Sequence, residues 1–306
     1  MADFQPSDTA STVPGAPVRA SWQQALLALG MFALLALLFY GGNLWLMQYD
    51  ERVAMALQGG TMAAGATMLG TLPVLLSQQF SQKVFDTMLG FGAGVMLAAS
   101  AFSLIIPGLA AAKSLGAGSW GAGLIVGAGI LLGGLLLYSI DALLPHEHFI
   151  KGVEGRQAKR LKRAWLFVSA IILHNLPEGL AIGVAFAGTN AIGAQALATG
   201  ISIQDVPEGM VVAMALRSVG YGRMLSVGLG AASGLVEPLA AVLGASVIGL
   251  SAVLLPWGLA FAAGAMLYVI SHEIIPESHR TGHEAFATGG LMIGFVLMML
   301  LDTALG

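Results

Sequence analysis

Residues 174–179 read His-Asn-Leu-Pro-Glu-Gly, and residues 204–209 read Gln-Asp-Val-Pro-Glu-Gly. In both stretches one polar residue lies four positions before the glutamate and a second lies three positions before it. A helix places all three of these side chains on one face. Each proline lacks an N–H and clashes with the carbonyl four residues back, so it bends the helix and frees backbone oxygen. The repeat therefore predicts two bent helices with matching polar faces.

These polar stretches lie in a chain of 306 residues that is 57% hydrophobic and only 9% charged, whereas ordinary globular domains carry about 25% charged residues. This composition excludes the soluble globular, disordered and nucleic-acid-binding classes. It predicts an all-α polytopic membrane protein that is surrounded by the lipid bilayer. Because the chain has no cysteine, any bound metal must be held by His, carboxylate, amide or thioether groups.

Apolar runs that are long enough to cross a membrane, at about 20 residues each, occur throughout the chain. In order they are Trp22–Met47, Val53–Leu76, Phe85–Ala111, Trp120–Leu144, Trp165–Ala187, Ile192–Leu216, Met224–Gly249, Leu255–Ser278 and Ala285–Leu305. The first run follows a polar segment and no A-x-A site comes after it, so we interpret it as a retained anchor helix rather than a signal peptide. The expected organisation is a polar N-terminus (1–21), an anchor helix (22–47) and an eight-helix domain (53–306).

Lysine and arginine favour the cytoplasmic side of a membrane. If the N-terminus is inside the cell, all but two of the 13 basic residues lie inside, and the two exceptions are Arg52 and Lys113. We therefore expect a multi-pass protein of the cell inner (plasma) membrane. Its N-terminus would be cytoplasmic and its C-terminus would lie outside or in the periplasm.

Acidic residues fall well inside the apolar runs, with no lysine or arginine at comparable depth. They are Glu178, Asp205, Glu208, Glu237 and Glu273. An ionised carboxylate at the centre of a membrane costs at least about 2.5–3.5 kcal/mol, so these groups must be protonated, hydrated or bound to a cation. Consecutive spans run in opposite directions, which brings the two motifs together, and this clustering favours a cation. Imidazole, carboxylates and carboxamides suit Zn²⁺, and carboxylates can bridge two ions.

A second repeat indicates a transporter. Residues 91–97 (FGAGVML) align without gaps with residues 261–267 (FAAGAML), with five of seven positions identical, and Ile105 then aligns with Ile275. Because these helices cross in opposite directions, runs two to four and seven to nine are expected to form inverted repeats on either side of the motif pair. Inverted repeats that enclose a midplane site are typical of secondary transporters.

The two motifs, together with Ser233-Gly-Leu-Val-Glu-Pro-Leu239, resemble the signature of the ZIP (Zrt/Irt-like) metal transporters, in particular bacterial members of the GufA type. The resemblance covers residues 53–306. It implies an eight-helix bundle of 3+2+3 helices, to which the anchor would be an extra N-terminal transmembrane helix. It also implies a homodimer that imports divalent metal into the cytoplasm through a binuclear midplane centre, with zinc first and cadmium, iron or manganese as further substrates.

The resemblance also implies the ligands of both ions. One ion would be held by Met96, His174, Glu178, Gln204 and Glu208. The other would be held by Asn175, Glu178, Asp205, Glu208 and Glu237, so that Glu178 and Glu208 bridge. Many members have His where Ser103 and Gln204 stand here, and this difference weakens the preference for zinc over manganese or iron.

Further histidines and acids lie near the predicted cytoplasmic ends of the helices. His272 and Glu273 fall inside the eighth run and predict an exit site for the metal. The remaining histidines are either an exit relay or solvated loop residues, and the sequence leaves both readings open. They are His146, His148, His279 and His283.

Three functions are each compatible with part of these patterns. A carrier and a passive metal-selective channel both need a midplane site, and the sequence separates them poorly. An intramembrane metallohydrolase also needs buried His and carboxylate. However, HExxH is absent, and His174 is the one histidine near the membrane centre, which is too few for a hydrolytic zinc. The sequence therefore predicts a carrier, with a passive channel as the alternative, and not an enzyme.

Overall fold

The computed structural model describes residues 37, 39–76, 81–143, 174–218 and 220–305. All regular structure in these ranges is helical, as the apolar runs predict. The chain divides into two compact units, Met1–Trp45 and Leu46–Gly306. In the first unit the described residues 37 and 39–45 are helical, and most of the predicted anchor helix lies outside the described residues.

The helices are α1 (39–49), α2 (Glu51–Thr71), α3 (Pro73–Leu76), α4 (Gln82–Ala98), α5 (Ile106–Ser114), α6 (Ser119–Leu143), α7 (174–187), α8 (Ala191–Ser218), α9 (Arg223–Ser233), α10 (Val236–Gly249), α11 (Leu254–Val269), α12 (Ile275–Ser278) and α13 (Glu284–Leu305). A first π-helical segment, Ala99–Ile105, joins α4 to α5, and a second, Ile270–Ile274, joins α11 to α12. Three turns use glycine in the left-handed region, Gly116 (φ 95°), Gly220 (φ 100°) and Gly282 (φ 90°), where a Cβ would be strained.

Within the described residues, five helical stretches are long and apolar enough to cross a membrane. They are Gln82–Ser114, Ser119–Ile140, Arg223–Gly249, Leu254–Ser278 and Glu284–Ala304. These stretches confirm a polytopic helical membrane protein. The predicted second and sixth runs form α2 and α8, which are of similar length but less apolar. The layout of eight helices plus an anchor stays a prediction, because the first and fifth runs are only partly described.

α4 packs closely along α13. A Cβ at Gly90 would collide with the carbonyl oxygen of Ala287, and a Cβ at Gly94 would collide with that of Leu291. Only glycine allows two backbones to approach this closely. Because the contacts advance together along both helices, α4 and α13 run parallel. This agrees with the predicted alternation, in which the third and ninth runs cross the membrane in the same direction.

The helix that carries the second matched stretch, α11, packs in the same way along α6. A Cβ at Gly264, which aligns with Gly94, would collide with the carbonyl oxygen of Ile130. Both matched helices also pass into a π-helical segment, and each π-helix is followed by a short α-helix with proline in its first turn, Pro107 in one and Pro276 in the other. The two matched stretches therefore share packing and backbone distortion as well as sequence.

The packing contacts divide the helices into two groups. The first group, α2, α7, α8, α9 and α10, packs around the two motifs. The second group, α4–α5, α6, α11–α12 and α13, packs around the matched stretches. The groups meet where α8 packs on α4 and α13, and α7 contacts α11 at Val184 and Gly258. The metal ligands predicted from the motifs thus lie on the first group, and Met96 lies on the second.

A buried acid joins the start of α4 to the segment before α13. Asp86 is fully buried. Its carboxylate accepts hydrogen bonds from Gln82 Nε2 (3.0 Å) and from Thr281 Oγ1, and His283 Nδ1 lies 2.9 Å from Oδ2. No sequence pattern pairs Asp86 with Thr281 or His283, which lie 195 and 197 positions away.

We expect His283→Ala to lower the free energy of unfolding by about 1–3 kcal/mol, since it removes a partner from a buried carboxylate. Thermal unfolding of the purified protein in detergent measures this. His272→Ala is the matched control, because His272 is exposed and packs on Tyr268. Equal melting temperatures for the two variants would contradict a stabilising role for the Asp86 cluster.

Candidate metal centre

α7 and α8 carry the two motifs, and both direct their polar residues into the protein. The buried members are His174, Asn175, Glu178, Gln204 and Asp205, and Glu208 is partly buried. One carboxylate oxygen from each of Glu178, Asp205 and Glu208 lies within 4.8 Å of the other two. The two motifs therefore meet at one point, as their spacing predicts.

Glu237 approaches this point from an interrupted helix. α9 ends at Ser233 and α10 begins at Val236, so Glu237 lies in the first turn of α10, where the helix dipole favours a negative charge. Asn175 Nδ2 donates to the Ser233 carbonyl at the interruption (3.1 Å) and to Glu237 Oε1 (3.3 Å). Interrupted helices of this kind form ion sites in many transporters.

The amide of Gln204 links the two motifs. Its Nε2 donates to Glu178 Oε1 and also to Asp205 Oδ1 (3.2 Å). Both N–H bonds of the amide are thereby directed at carboxylates. The oxygen Oε1 is the atom of Gln204 that is left to contact a cation.

Six buried oxygen atoms of these residues accept no hydrogen bond from any described residue. They are Asn175 Oδ1, Glu178 Oε2, Gln204 Oε1, Asp205 Oδ2, Glu208 Oε1 and Glu237 Oε2. Leaving a buried acceptor unpaired costs about 1–3 kcal/mol, and more for a charged group. In the described part of the chain no lysine or arginine pairs with the four carboxylates. The carboxylate oxygens of Glu178, Asp205 and Glu208 that lie within 4.8 Å of one another can share a divalent cation, since Zn–O bonds are about 2.0–2.2 Å.

The two residues of the predicted exit site have different neighbours. Glu273, in the second π segment, places Oε2 3.0 Å from Nε2 of His174. His272 is exposed and stacks on the ring of Tyr268, with ring centroids 5.1 Å apart. Glu273 therefore extends the cluster at His174, whereas His272 lies away from it.

Met96 belongs to the apolar core around α4 and is 1% exposed. Gly92, one turn earlier on the same face of α4, lies next to Gln204, whose Oε1 would be 4.0 Å from a Cβ at Gly92. α4 thus approaches the second motif one helical turn from Met96. The role of Met96 as a ligand stays a prediction.

Two polar contacts involve residues that are not among the predicted metal ligands. Thr67 Oγ1 in α2 donates to Glu237 Oε1 (3.0 Å), and Ser103 Oγ in the first π segment donates to Asp302 Oδ1 (2.6 Å). Ser103 and Asp302 line a cavity of about 620 Å³ whose wall includes Phe102. Asp302 could have been found as an acid in an apolar run, but no pattern distinguishes Thr67 from the other threonines of α2.

Two of the histidines predicted near the cytoplasmic ends, His279 and His283, lie in the described part of the chain. His279 Nδ1 lies 3.0 Å from the carbonyl of Ile275, and its Nε2 lies 3.2 Å from Thr288 Oγ1. His283 contacts Asp86, as described above. His146 and His148 lie outside the described residues.

The chain is also similar in sequence to known proteins. A family model described as "ZIP Zinc transporter" matches residues 146–302. The chain is 47% identical to "Zinc transporter ZIPB" of Bordetella bronchiseptica, over 99% of both chains. It is 48% identical to "Zinc transporter GufA" of Myxococcus xanthus, over 80% of this chain and 96% of that protein. It is 33% identical to "Zinc transporter ZIP11" of Homo sapiens, over 85% of this chain and 100% of that protein.

The matched region contains both motifs and the interrupted helix with Glu237. The identity to ZIPB extends over nearly the whole chain. The chain therefore belongs to the ZIP family of membrane transporters, as a member of its GufA type, and is not an enzyme.

Proposed function

We propose that this protein imports divalent metal, with Zn²⁺ as its principal substrate, across the cell inner membrane into the cytoplasm. The observation that carries the proposal is the set of six buried, unpaired oxygen atoms at the meeting point of the two motifs. A membrane interior tolerates four such carboxylates only if protons, water or cations compensate their charge. The relatives named as zinc transporters support zinc as that cation.

The substrate site is proposed to hold two ions. Glu178 and Glu208 lie close enough to each other to bridge both. His174, Gln204 and Met96 would complete the first ion's ligands. Asn175, Asp205 and Glu237 would complete those of the second. The hydrogen bonds from Asn175 to Glu237 and from Gln204 to Asp205 support a role in metal binding, because each leaves the second oxygen of its carboxylate without a partner among the described residues.

The donor set is harder than that of a site rich in imidazole. It contains one histidine, one thioether and otherwise oxygen atoms, and carboxylate and amide oxygen also suit manganese and iron. Gln204 provides an amide oxygen rather than imidazole. We therefore propose a transporter that prefers zinc but also accepts iron and manganese; cadmium, a softer ion, is proposed from the ZIP resemblance alone.

Transport is proposed to occur by alternating access. The motif ligands and Glu237 lie on the first group of helices, whereas Met96 and Glu273 lie on the second. Rocking of one group against the other would change which end of the centre is open. With the N-terminus in the cytoplasm, the cavity beside Ser103 and Asp302 faces outward and would admit the ion, and the side of His174 and Glu273 would release it.

Two measurements test this function. Purified protein in proteoliposomes should take up Zn²⁺ with saturation at micromolar metal, whereas single-channel currents would identify a passive channel instead. Anomalous scattering and metal analysis should find two ions among the motif residues. One ion or none at this position would contradict the binuclear centre. The homodimer stays a prediction, which the mass of the purified particle checks.

A further inference from the structure

The side chain of Thr67 joins α2 to the metal centre. It is 1% exposed, and its Oγ1 lies 3.0 Å from Glu237 Oε1 and 3.3 Å from the carbonyl oxygen of Ala63. α7, α8 and α10 provide the motif residues and Glu237. Thr67 is thus the contribution of α2, the remaining long helix of the first group.

The position of Thr67 on α2 corresponds to that of Glu237 on α10. The two motif glycines show this correspondence. A Cβ at Gly179 would collide with the carbonyl oxygen of Glu237, and a Cβ at Gly209 would collide with that of Thr67. Each motif therefore packs on one backbone position of a neighbouring helix, and the residues at these two positions contact each other through their side chains.

Both hydrogen bonds that Glu237 accepts fall on one oxygen. Asn175 Nδ2 and Thr67 Oγ1 both donate to Oε1, while Oε2 is buried and accepts none from the described residues. A carboxylate held at one oxygen by two donors has a fixed orientation. Its second oxygen then remains available to a cation.

We propose that Thr67 is a positioning residue that orients Glu237 toward the second ion, an inference that rests on the proposed binuclear centre. The hydroxyl has one proton and two acceptors within reach. The bond to Glu237 Oε1 is the shorter of the two (3.0 Å against 3.3 Å), so the hydroxyl holds that oxygen and leaves Oε2 to the ion.

The test counts ions in the full-length purified protein during titration with Zn²⁺ alone in chelator-buffered solution. Thr67→Val keeps the shape of the side chain but removes the hydroxyl, and is expected to weaken the second ion by about 10- to 100-fold. Thr67→Ser should restore it. Thr71→Val is the matched control, because Thr71 is equally buried in α2 and its hydroxyl donates to the Met68 carbonyl.

Glu237→Gln separates failure of this inference from failure of the proposed centre. If wild type binds two ions and Glu237→Gln binds one, equal affinities for Thr67→Val and Thr71→Val overturn the role of Thr67 alone. If wild type binds a single ion that Glu237→Gln does not affect, the binuclear centre is overturned, and the role of Thr67 falls with it. Loss of the second ion in Thr67→Val with recovery in Thr67→Ser supports the proposal.

Discussion

Replacement of Glu178 or Glu208 by glutamine is expected to abolish zinc uptake in proteoliposomes, with a loss of about 100-fold or more. Each glutamate lies where the two motifs meet and would contact both ions. Removing one partner from a buried charge pair costs about 3–5 kcal/mol, and each 1.4 kcal/mol is tenfold in binding. Glutamine keeps the size of the side chain, so expression and folding should stay near those of wild type.

Glu284→Gln is the matched control for this loss. Glu284 is an exposed acid at the start of α13, away from the motifs, so its replacement removes one negative charge without touching the centre. Initial rates of Zn²⁺ uptake at several metal concentrations should match those of wild type. Undiminished uptake by both Glu178→Gln and Glu208→Gln would rule out the motif cluster as the transport site.

The convergence of the motifs was predictable from the sequence because it depends on local spacing. Residues four and three positions before a glutamate share its helix face whatever the rest of the fold does. Two such faces on consecutive spans must meet if both avoid lipid. Glu178, Asp205 and Glu208 confirm this expectation, since their carboxylates lie within 4.8 Å of one another.

Contacts between distant segments were not predictable in this way. Thr67 and Glu237 are 170 positions apart, and Ser103 and Asp302 are 199 apart. Nothing in a single sequence pairs them, because one threonine in an Ala- and Gly-rich helix resembles its neighbours. These side chains meet only because the packed helices bring them together.

The departures from regular helix within the apolar runs were also not predictable from the sequence. The break between α9 and α10 positions Glu237, and the second π segment contains Glu273. Hydrophobic periodicity predicts that a span exists. An interruption of a few residues does not change that periodicity, so the sequence does not reveal the interruption. The proline of each motif predicts a bend; α8 continues as helix through Pro207, and the bend itself stays a prediction.

Removal of metal is expected to have a second large effect, which is on the stability of the protein. Without a cation, four buried carboxyl groups either repel one another, by on the order of 1–4 kcal/mol per ionised pair at about 4 Å, or must bind protons to avoid that repulsion, and both destabilise the fold. A chelator should therefore leave wild type less stable than its Glu208→Gln variant, which lacks one of these charges. Removing a predicted metal ligand is thus expected to raise the melting temperature when no metal is present.

Addition of zinc should reverse this order. A ligand that binds only the folded state stabilises it by about 2.7 kcal/mol at 100 times its dissociation constant, so wild type should gain this stability and Glu208→Gln should gain little. Thermal unfolding in detergent, with chelator and then with graded Zn²⁺, measures both effects on the same samples. A Glu208→Gln variant that melts below wild type in chelator and responds to zinc as wild type does would show that these carboxylates neither repel one another nor bind the ion. The crossing of the two stability curves distinguishes charges kept for a cation from charges kept for the fold, because a purely structural acid loses stability on replacement whether or not metal is present.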